Sequence, residues 1–568
     1  LISRWTSRWI GTIPARLRLP LLVYAVTQLI LLAWWASYYP GLMSYDSISY
    51  VWHVTTNHWM ANHSVAYDGL VWLSLKTGGG LGPLTFLQTV AAAAVLAYTA
   101  DVLHALGVRA RWAATAAVAT VVLPTLGTFV VFVWKDVPFT LSAVLAFAAT
   151  GRLVARRRAG ATGFPARAVG LLALGFLGLA LFRNNGFLTA MIAAPILIVA
   201  LSGLRRAIAV ATIVPIIVSF VLTGWVYPAL GVQGAEPALT YASAYADVSV
   251  AYVQRPDTFT KADKRLMTQV APLDHWAYAG SNCYNSDWLT NKPGFSKSAA
   301  NRLNDRLLDL WMRTIKRSPD VVVGARICRG SIAWAVFPGP AYLGGHTAVG
   351  PSQIPKDRFS WALPGGRMEG SPYLSELKIR PLSQPVHDAA EFTRRLSLTP
   401  QFEWLLQRAP IWCYLGYLAI GLYAWRRRTP AAWALAAVIV GGQLGVLAAN
   451  PAQLFRYMTA PMMLGILTLP LLTTPRRTRA EAQTDEERTA SSSSSASASA
   501  SDSSPSASSS SPGLTSGSTS DSGSDSDAGD AEDAASGATA STASAGLRAP
   551  GTRARTAASA AKGIAGGM

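Results

Sequence analysis

Charged residues are scarce in this chain of 568 residues, at 14% of the sequence, against roughly 25% in an ordinary soluble domain. With 51% hydrophobic residues beside that shortage, a conventional water-soluble globule is excluded. Large apolar side chains are almost missing from residues 478–568, which are mostly Ser, Ala, Gly and Asp. Such a stretch cannot bury enough apolar surface to offset chain entropy and is expected to be disordered. The apolar weight therefore sits in discrete blocks upstream. Cysteine is rare too. The three cysteines allow at most one bridge, and Cys283 and Cys328 share one long polar segment while Cys413 begins an apolar block. Cys283 and Cys328 read as a disulfide if that segment faces an oxidising compartment, and equally as two free thiols. No small-residue cleavage site follows the first apolar block, which is long enough to span, so it is expected to stay as a helix.

What is abundant is positive charge, a net +19. It gathers in short runs at the ends of apolar blocks, the pattern of membrane topology signals and not of nucleic-acid binding. Spans are expected at about 20–38, 83–104, 112–134, 137–153, 166–182, 187–204, 207–227, 409–425, 431–449 and 457–473. The basic residues are Arg4, Arg8, Arg16 and Arg18, then Arg109 and Arg111, then Arg152, Arg156, Arg157, Arg158 and Arg167. Arg205 and Arg206, Arg426, Arg427 and Arg428, and Arg476 and Arg477 complete the set. All fall on one side if the N-terminus is cytoplasmic, and the short loops opposite are nearly free of Lys and Arg.

The expectation is an all-α polytopic inner-membrane protein with about ten transmembrane helices and both termini in the cytoplasm. Residues 1–19 form the N-terminus, 20–227 a seven-span module with an outer loop at 39–82, and 228–408 a mixed extracytoplasmic domain. Three further helices occupy 409–475, and 476–568 is the Ser/Ala-rich cytoplasmic tail. The segment 228–408 is too long for a simple connection. Residues 296–317 carry Leu303, Leu307, Leu310, Trp311 and Ile315 at helical spacing. They read as a packed helix of that domain or as one lying on the membrane surface.

Four short polar sequences border the spans on the outer side: Tyr39 to Ser47 around Asp46, Trp134-Lys135-Asp136, Phe182-Arg183-Asn184-Asn185-Gly186, and Asn450 to Tyr457 around Arg456. Lys135, Arg183 and Arg456 break the charge rule, and a cation near hydrocarbon calls for an anionic partner. Each also has a plain account. Asp46 can cap a helix beginning near Ser47, Lys135 and Asp136 can pair locally, Arg183 can snorkel, Asn184-Asn185-Gly186 can be only a turn, and Arg456 can cap carbonyls. Together they favour one shared anionic ligand. The first outer loop adds His53, His58, His63 and Asp68. His58 and His63 with Asp46 do not match a tight metal spacing, so hydrogen bonding is the simpler role. Gln88 faces the same cavity or makes an interhelical hydrogen bond.

An acid in the first outer loop, directly after the first span, resembles the GT-C superfamily of membrane glycosyltransferases. Tyr39-Pro40-Gly41 through Asp46-Ser47, Trp134-Lys135-Asp136, Phe182 to Gly186 and Phe455-Arg456-Tyr457 carry the resemblance, over roughly residues 20–475. It implies a polyprenyl-phosphate-linked sugar as donor and an envelope glycan, lipid or protein as acceptor, with inversion. Asp46 is then the base, Lys135, Arg183 and Arg456 bind the donor phosphate, and Asp136, Asn184, Asn185, Tyr457, His63 and Gln88 support them. Many members carry two acids in the first loop, whereas Asp46 has no acidic neighbour. Asp46 and Asp136 are the candidate ligands if a divalent Mg or Mn takes part. Two readings from other classes stand beside this: a transporter or lipid flippase, and a non-catalytic envelope-assembly protein. Transporters more often show repeats and mid-membrane polar residues, and no convincing repeat is found here.

Overall fold

The computed structural model describes residues 14–337 and 368–476. Among them the chain is helical, with no strand and three isolated β-bridges. Five helices are long and apolar enough to cross a membrane: Ala15–Ser37, Gly82–Ala105, Asp136–Arg158, Ser202–Ala229 and Pro430–Ala449. A helix of 23 residues such as Ala15–Ser37 runs about 35 Å, against roughly 30 Å of hydrocarbon. The chain is therefore a membrane protein. The expected disordered tail, and Arg4, Arg8 and Arg477, lie outside the described residues.

Helices also stand at the other expected positions, but shorter ones. Ala166–Leu181 and Gly186–Ala200 have 16 and 15 residues, about 24 Å or less each. The turn between them is tight: a Cβ on Gly186 would lie 2.0 Å from the Leu179 carbonyl oxygen. The stretch expected as one span at 112–134 is two helices, Ala110–Val122 and Pro124–Val130, bent by 73°. Pro124 explains the break, since its ring pushes Leu123 out of the helical region, to ψ 121°.

After Val130 the chain runs extended beside the turn that follows the first helix. Leu42 N–H donates to Val131 O at 3.0 Å, and Val133 N–H donates to Leu42 O at 2.9 Å. Gly41 permits this approach, because a Cβ there would fall 2.7 Å from Thr85 Cγ2 and 3.0 Å from Val131 O. Two distant segments are thus laid side by side, one leading to Asp46 and the other to Lys135.

Helix Asp136–Arg158 is the most enclosed of the five and packs on Ala166–Leu181 through small residues. A Cβ on Gly178 would meet Ser142 Oγ at 2.0 Å, the close backbone approach usual in membrane bundles. Its last turn holds Arg156, Arg157 and Arg158, which suits the negative end of the helix dipole. Arg158 donates to Leu106 O at 2.5 Å and to the Tyr423 hydroxyl at 3.0 Å. That end of the bundle is therefore the arginine-rich one, and the opposite end begins with Asp136.

The segment 228–408 was expected to be mixed, yet its described part is helical. Ala242–Gln254, Leu273–Gly280, Asn304–Arg317 and Pro319–Arg329 enclose a separate core that includes Tyr245, Met267, Trp276, Leu289, Leu307 and Leu310. Leu307 and Leu310 are buried in that core, so Asn304–Arg317 is a packed helix of the segment. Buried Asp247 binds Arg326 at 2.7 Å and Arg329 at 2.9 Å, which fastens two of these helices. Cys283 and Cys328 are bonded, with their Cα atoms 5.9 Å apart.

Candidate functional site

The first helix ends at Ser37, and the next, Tyr45–Thr55, begins at an N-cap formed by Ser44. Ser44 N–H donates to Ser47 Oγ at 2.9 Å. That bond serves the helix start, so the capping role considered for Asp46 falls to Ser44 and Ser47. Asp46, in the first turn, reaches Arg456 instead, with Arg456 Nη1 2.5 Å from its Oδ2. The same Nη1 is 4.0 Å from Asp136 Oδ2. Arg183 Nε stands 3.5 Å from Asp136 Oδ1. Lys135 Nζ donates to His63 Nδ1 at 2.9 Å. Side chains from four distant segments thus converge at the end of the bundle away from the arginine clusters.

Aromatic rings hold the cations in place. The Arg183 guanidinium lies 4.3 Å from the Tyr457 ring centroid and 5.5 Å from that of Phe139. Arg456 lies 5.2 Å from the rings of both Trp134 and Tyr457. Trp134 is fixed by its Nε1–H, which donates to Ser44 Oγ at 2.5 Å. Guanidinium groups stack on such faces with modest gains that grow when water is excluded.

The charges are matched unevenly. Asp136 is 1% exposed, and among the described residues neither of its oxygens accepts a hydrogen bond. Its charge is met only at 3.5 Å and 4.0 Å. Arg456 Nε and the hydroxyl of Tyr50, one turn beyond Asp46, are likewise buried without a partner among the described residues. Buried polar groups are normally satisfied, and each exception calls for an explanation, a catalytic role or an unseen ligand among them.

Burial alone would raise the Asp46 pKa. The Arg456 charge outweighs it, with help from Lys135, and holds the carboxyl well below the usual carboxylate range. Burial, and then the Lys135 charge, push His63 down to about 3. His63 is therefore neutral and accepts from the Lys135 ammonium through Nδ1, leaving its proton on Nε2. Burial also lowers the Lys135 pKa, against the pull of Asp46 and Asp136.

The supporting residues divide. His63, Asp136 and Tyr457 belong to the cluster. Gln88 does not face it: its amide donates to Val130 O and Phe132 O at 2.9 Å and accepts from the Tyr67 hydroxyl at 3.0 Å. Gln88 therefore clamps the non-helical stretch that delivers Lys135. Asn184 donates to Ala61 O and Asn62 O, at 3.0 and 3.2 Å, and so holds the loop before His63. Asn185 sits at an N-cap without a side-chain capping bond. Asn450 and Gln453 are also structural, donating to Arg329 O at 2.8 Å and Cys328 O at 3.0 Å.

The histidines do not assemble a metal site with Asp46. His58 is exposed and stacks on Trp52, and His53 Nδ1 is 2.9 Å from Asp68 Oδ2. Among the described residues no three of His, Cys, Asp and Glu gather in a way that would hold a metal. Asp46 and Asp136, the candidate ligand pair, both face the Arg456 guanidinium, at 2.5 Å and 4.0 Å.

One group at the site had no signal in the sequence. Asp287, in the long segment, faces the charges of Arg456 and Asp46. Its neighbours Asn285 and Ser286 pair with Ala452 and Pro451, a contact that no local motif announces. Tyr50 was more accessible to reading, since it lies four residues after Asp46 on one helix face. No protein-family model, curated protein or solved structure matches the chain.

Proposed function

We propose that the chain is a GT-C-like membrane glycosyltransferase, moving a sugar from a polyprenyl-phosphate donor to an envelope acceptor on the non-cytoplasmic face of the inner membrane. The observation that carries this reading is the convergence of Asp46, Asp136, Lys135, Arg183 and Arg456 at one end of the bundle. On this reading about ten helices cross the membrane, the shorter ones included. Two features support the orientation. Arginines crowd the opposite end of the helices, as cytoplasmic ends do. The Cys283–Cys328 bridge suits an oxidising compartment.

The chemistry follows from the charges. Transfer breaks the bond between the anomeric carbon and a phosphate oxygen through an oxocarbenium-like state. Negative charge grows on the departing phosphate, and preorganised cations stabilise it best where water is excluded. Arg183 and Arg456 offer forked donors and Lys135 a point charge. Arg456 holds Asp46 while no donor is bound. A donor phosphate competes for that guanidinium and frees Asp46, whose carboxylate then takes the proton of the acceptor hydroxyl. With one carboxylate acting on the acceptor, the product is inverted at the anomeric carbon.

The test is incubation of the purified protein with a panel of radiolabelled polyprenyl-phosphate sugars and membrane acceptors. Wild-type protein should transfer label from at least one donor, and D46N should lose about 10²-fold or more of that activity while folding and inserting normally. Full activity in D46N would remove Asp46 as the base, and no transfer from any donor would remove the transferase reading.

A further inference from the structure

Asp287 heads the short helix Asp287–Thr290 within the long segment, and several contacts fix where it sits. Ser286 donates to Pro451 O through both its backbone N–H and its hydroxyl, each at 2.8 Å. Asn285 forms an antiparallel bridge with Ala452. Just upstream, Cys283 is bonded to Cys328, whose carbonyl oxygen accepts from Gln453 at 3.0 Å. The loop 450–453 is thus gripped from two sides by the segment, and it runs directly into Arg456. Asp287 is delivered to the same place by covalent and hydrogen-bonded tethers, not by chance proximity.

The carboxylate itself is uncommitted. The Asp287 backbone N–H donates to Asn285 Oδ1 at 2.8 Å, but among the described residues its side chain joins no ion pair and accepts no hydrogen bond. Burial raises its pKa, and the Arg456 charge opposes that rise while the Asp46 charge adds to it. An anion in this position repels a phosphate, so it is not a donor-phosphate ligand. It is suited to accept hydrogen bonds from neutral hydroxyls. The next residue, Trp288, stacks on the exposed Tyr278 with ring centroids 5.8 Å apart, and Lys292 lies over both rings. Trp288 and Tyr278 thus put aromatic surface on the same short stretch of chain as Asp287, and aromatic rings with a polar neighbour suit ligands that are apolar on one side and polar on the other.

We infer that Asp287 is the acceptor-side carboxylate of the centre and that the acceptor is a sugar, one of whose hydroxyls it binds; this rests on the transferase reading above. Asp287 orients the acceptor, while Asp46 takes the proton of the attacking hydroxyl. The acceptor oxygen bonds to the anomeric carbon as the bond from that carbon to the phosphate oxygen breaks, and the phosphate leaves with the electron pair. The proposal also gives the long segment its role, since it is the part of the chain that brings Asp287 to the cations.

The experiment uses the full chain in nanodiscs, a polyprenyl-phosphate sugar that wild type accepts as donor, and two acceptors: octyl β-glucoside, which is a sugar, and n-octanol, which has one hydroxyl. Wild type should favour the glucoside. D287N should lower glucoside transfer by about 10- to 100-fold, the worth of one hydrogen bond to a charged group. Its transfer to octanol should fall much less, so that the preference for the glucoside is what is lost. D287E, which keeps the charge, should recover part of the glucoside activity, and thermal midpoints equal to wild type show that both variants are folded. Glucoside transfer by D287N equal to wild type, with wild type active, overturns the assignment of Asp287 and leaves the transferase intact. Equal loss with both acceptors also overturns it, since that marks a general defect. Wild type that transfers from no donor overturns the transferase reading itself.

Discussion

Arg456 and Arg183 share the task of neutralising Asp136, and neither approaches it closer than 3.5 Å. Arg183 is 6% exposed, so removing the carboxylate leaves a buried guanidinium with no counter-charge. Breaking a buried pair from one side typically destabilises by about 3–5 kcal/mol. D136N should therefore lower unfolding stability in detergent by about that amount, measured as a shift in the denaturant midpoint. A change below about 1 kcal/mol would mean that the pair is solvated and that Asp136 is not part of a closed cluster. The three cations were legible in the sequence because each breaks a rule at its position, a positive charge beside an apolar block on the side poor in Lys and Arg, whereas Asp46 and Asp136 were singled out through the resemblance. Gln88 was harder to place, because a lone amide inside a span reads the same whether it lines a cavity or clamps a non-helical stretch. Its three hydrogen bonds decide for the clamp.

At the scale of elements, the site depends on a stretch that is not helical. The expected span 112–134 breaks at Pro124, and the freed residues 131–135 run beside Leu42. The proline was visible in the sequence, but hydrophobicity carried the reading across it, since a membrane block is recognised by its length and apolar content and not by its shape. Gly41 is the hinge of this pairing. G41A would press a methyl group against Thr85 Cγ2 at 2.7 Å and Val131 O at 3.0 Å. Overpacking of this kind costs about 1–3 kcal/mol, and the stretch that delivers Lys135 is the part able to shift. The expected result is a loss of transfer well beyond the loss of stability, read by comparing the initial rate with the thermal midpoint. A rate that falls only as far as the folded fraction falls would contradict this.

For the molecule as a whole, the loop 450–453 is one of the places where the long segment meets the helices, and the bridge Cys283–Cys328 stands behind it. Closing a loop over a sequence separation of 45 lowers the entropy of the unfolded chain by an amount worth about 4 kcal/mol. C283S with C328S should lower the thermal stability of the segment accordingly and weaken transfer, whereas the membrane helices stay folded by circular dichroism. Unchanged stability and activity would make the bridge incidental. The cysteine pair was legible as a choice between bond and thiols, and only the folded helices brought the two together. The helical character of the segment was not legible, because its many Trp, Tyr and Pro residues do not carry one clear period along its length.

The account stands on a lipid phosphate being received by Lys135, Arg183 and Arg456. The direct measurement is binding of undecaprenyl phosphate, the leaving group without its sugar, to the purified protein in nanodiscs, for wild type and for R183Q and R456Q. Each charge-assisted hydrogen bond lost should weaken binding by about tenfold or more, with both variants folded. Equal binding by wild type and both variants would contradict the account, because these cations would then have no phosphate to meet.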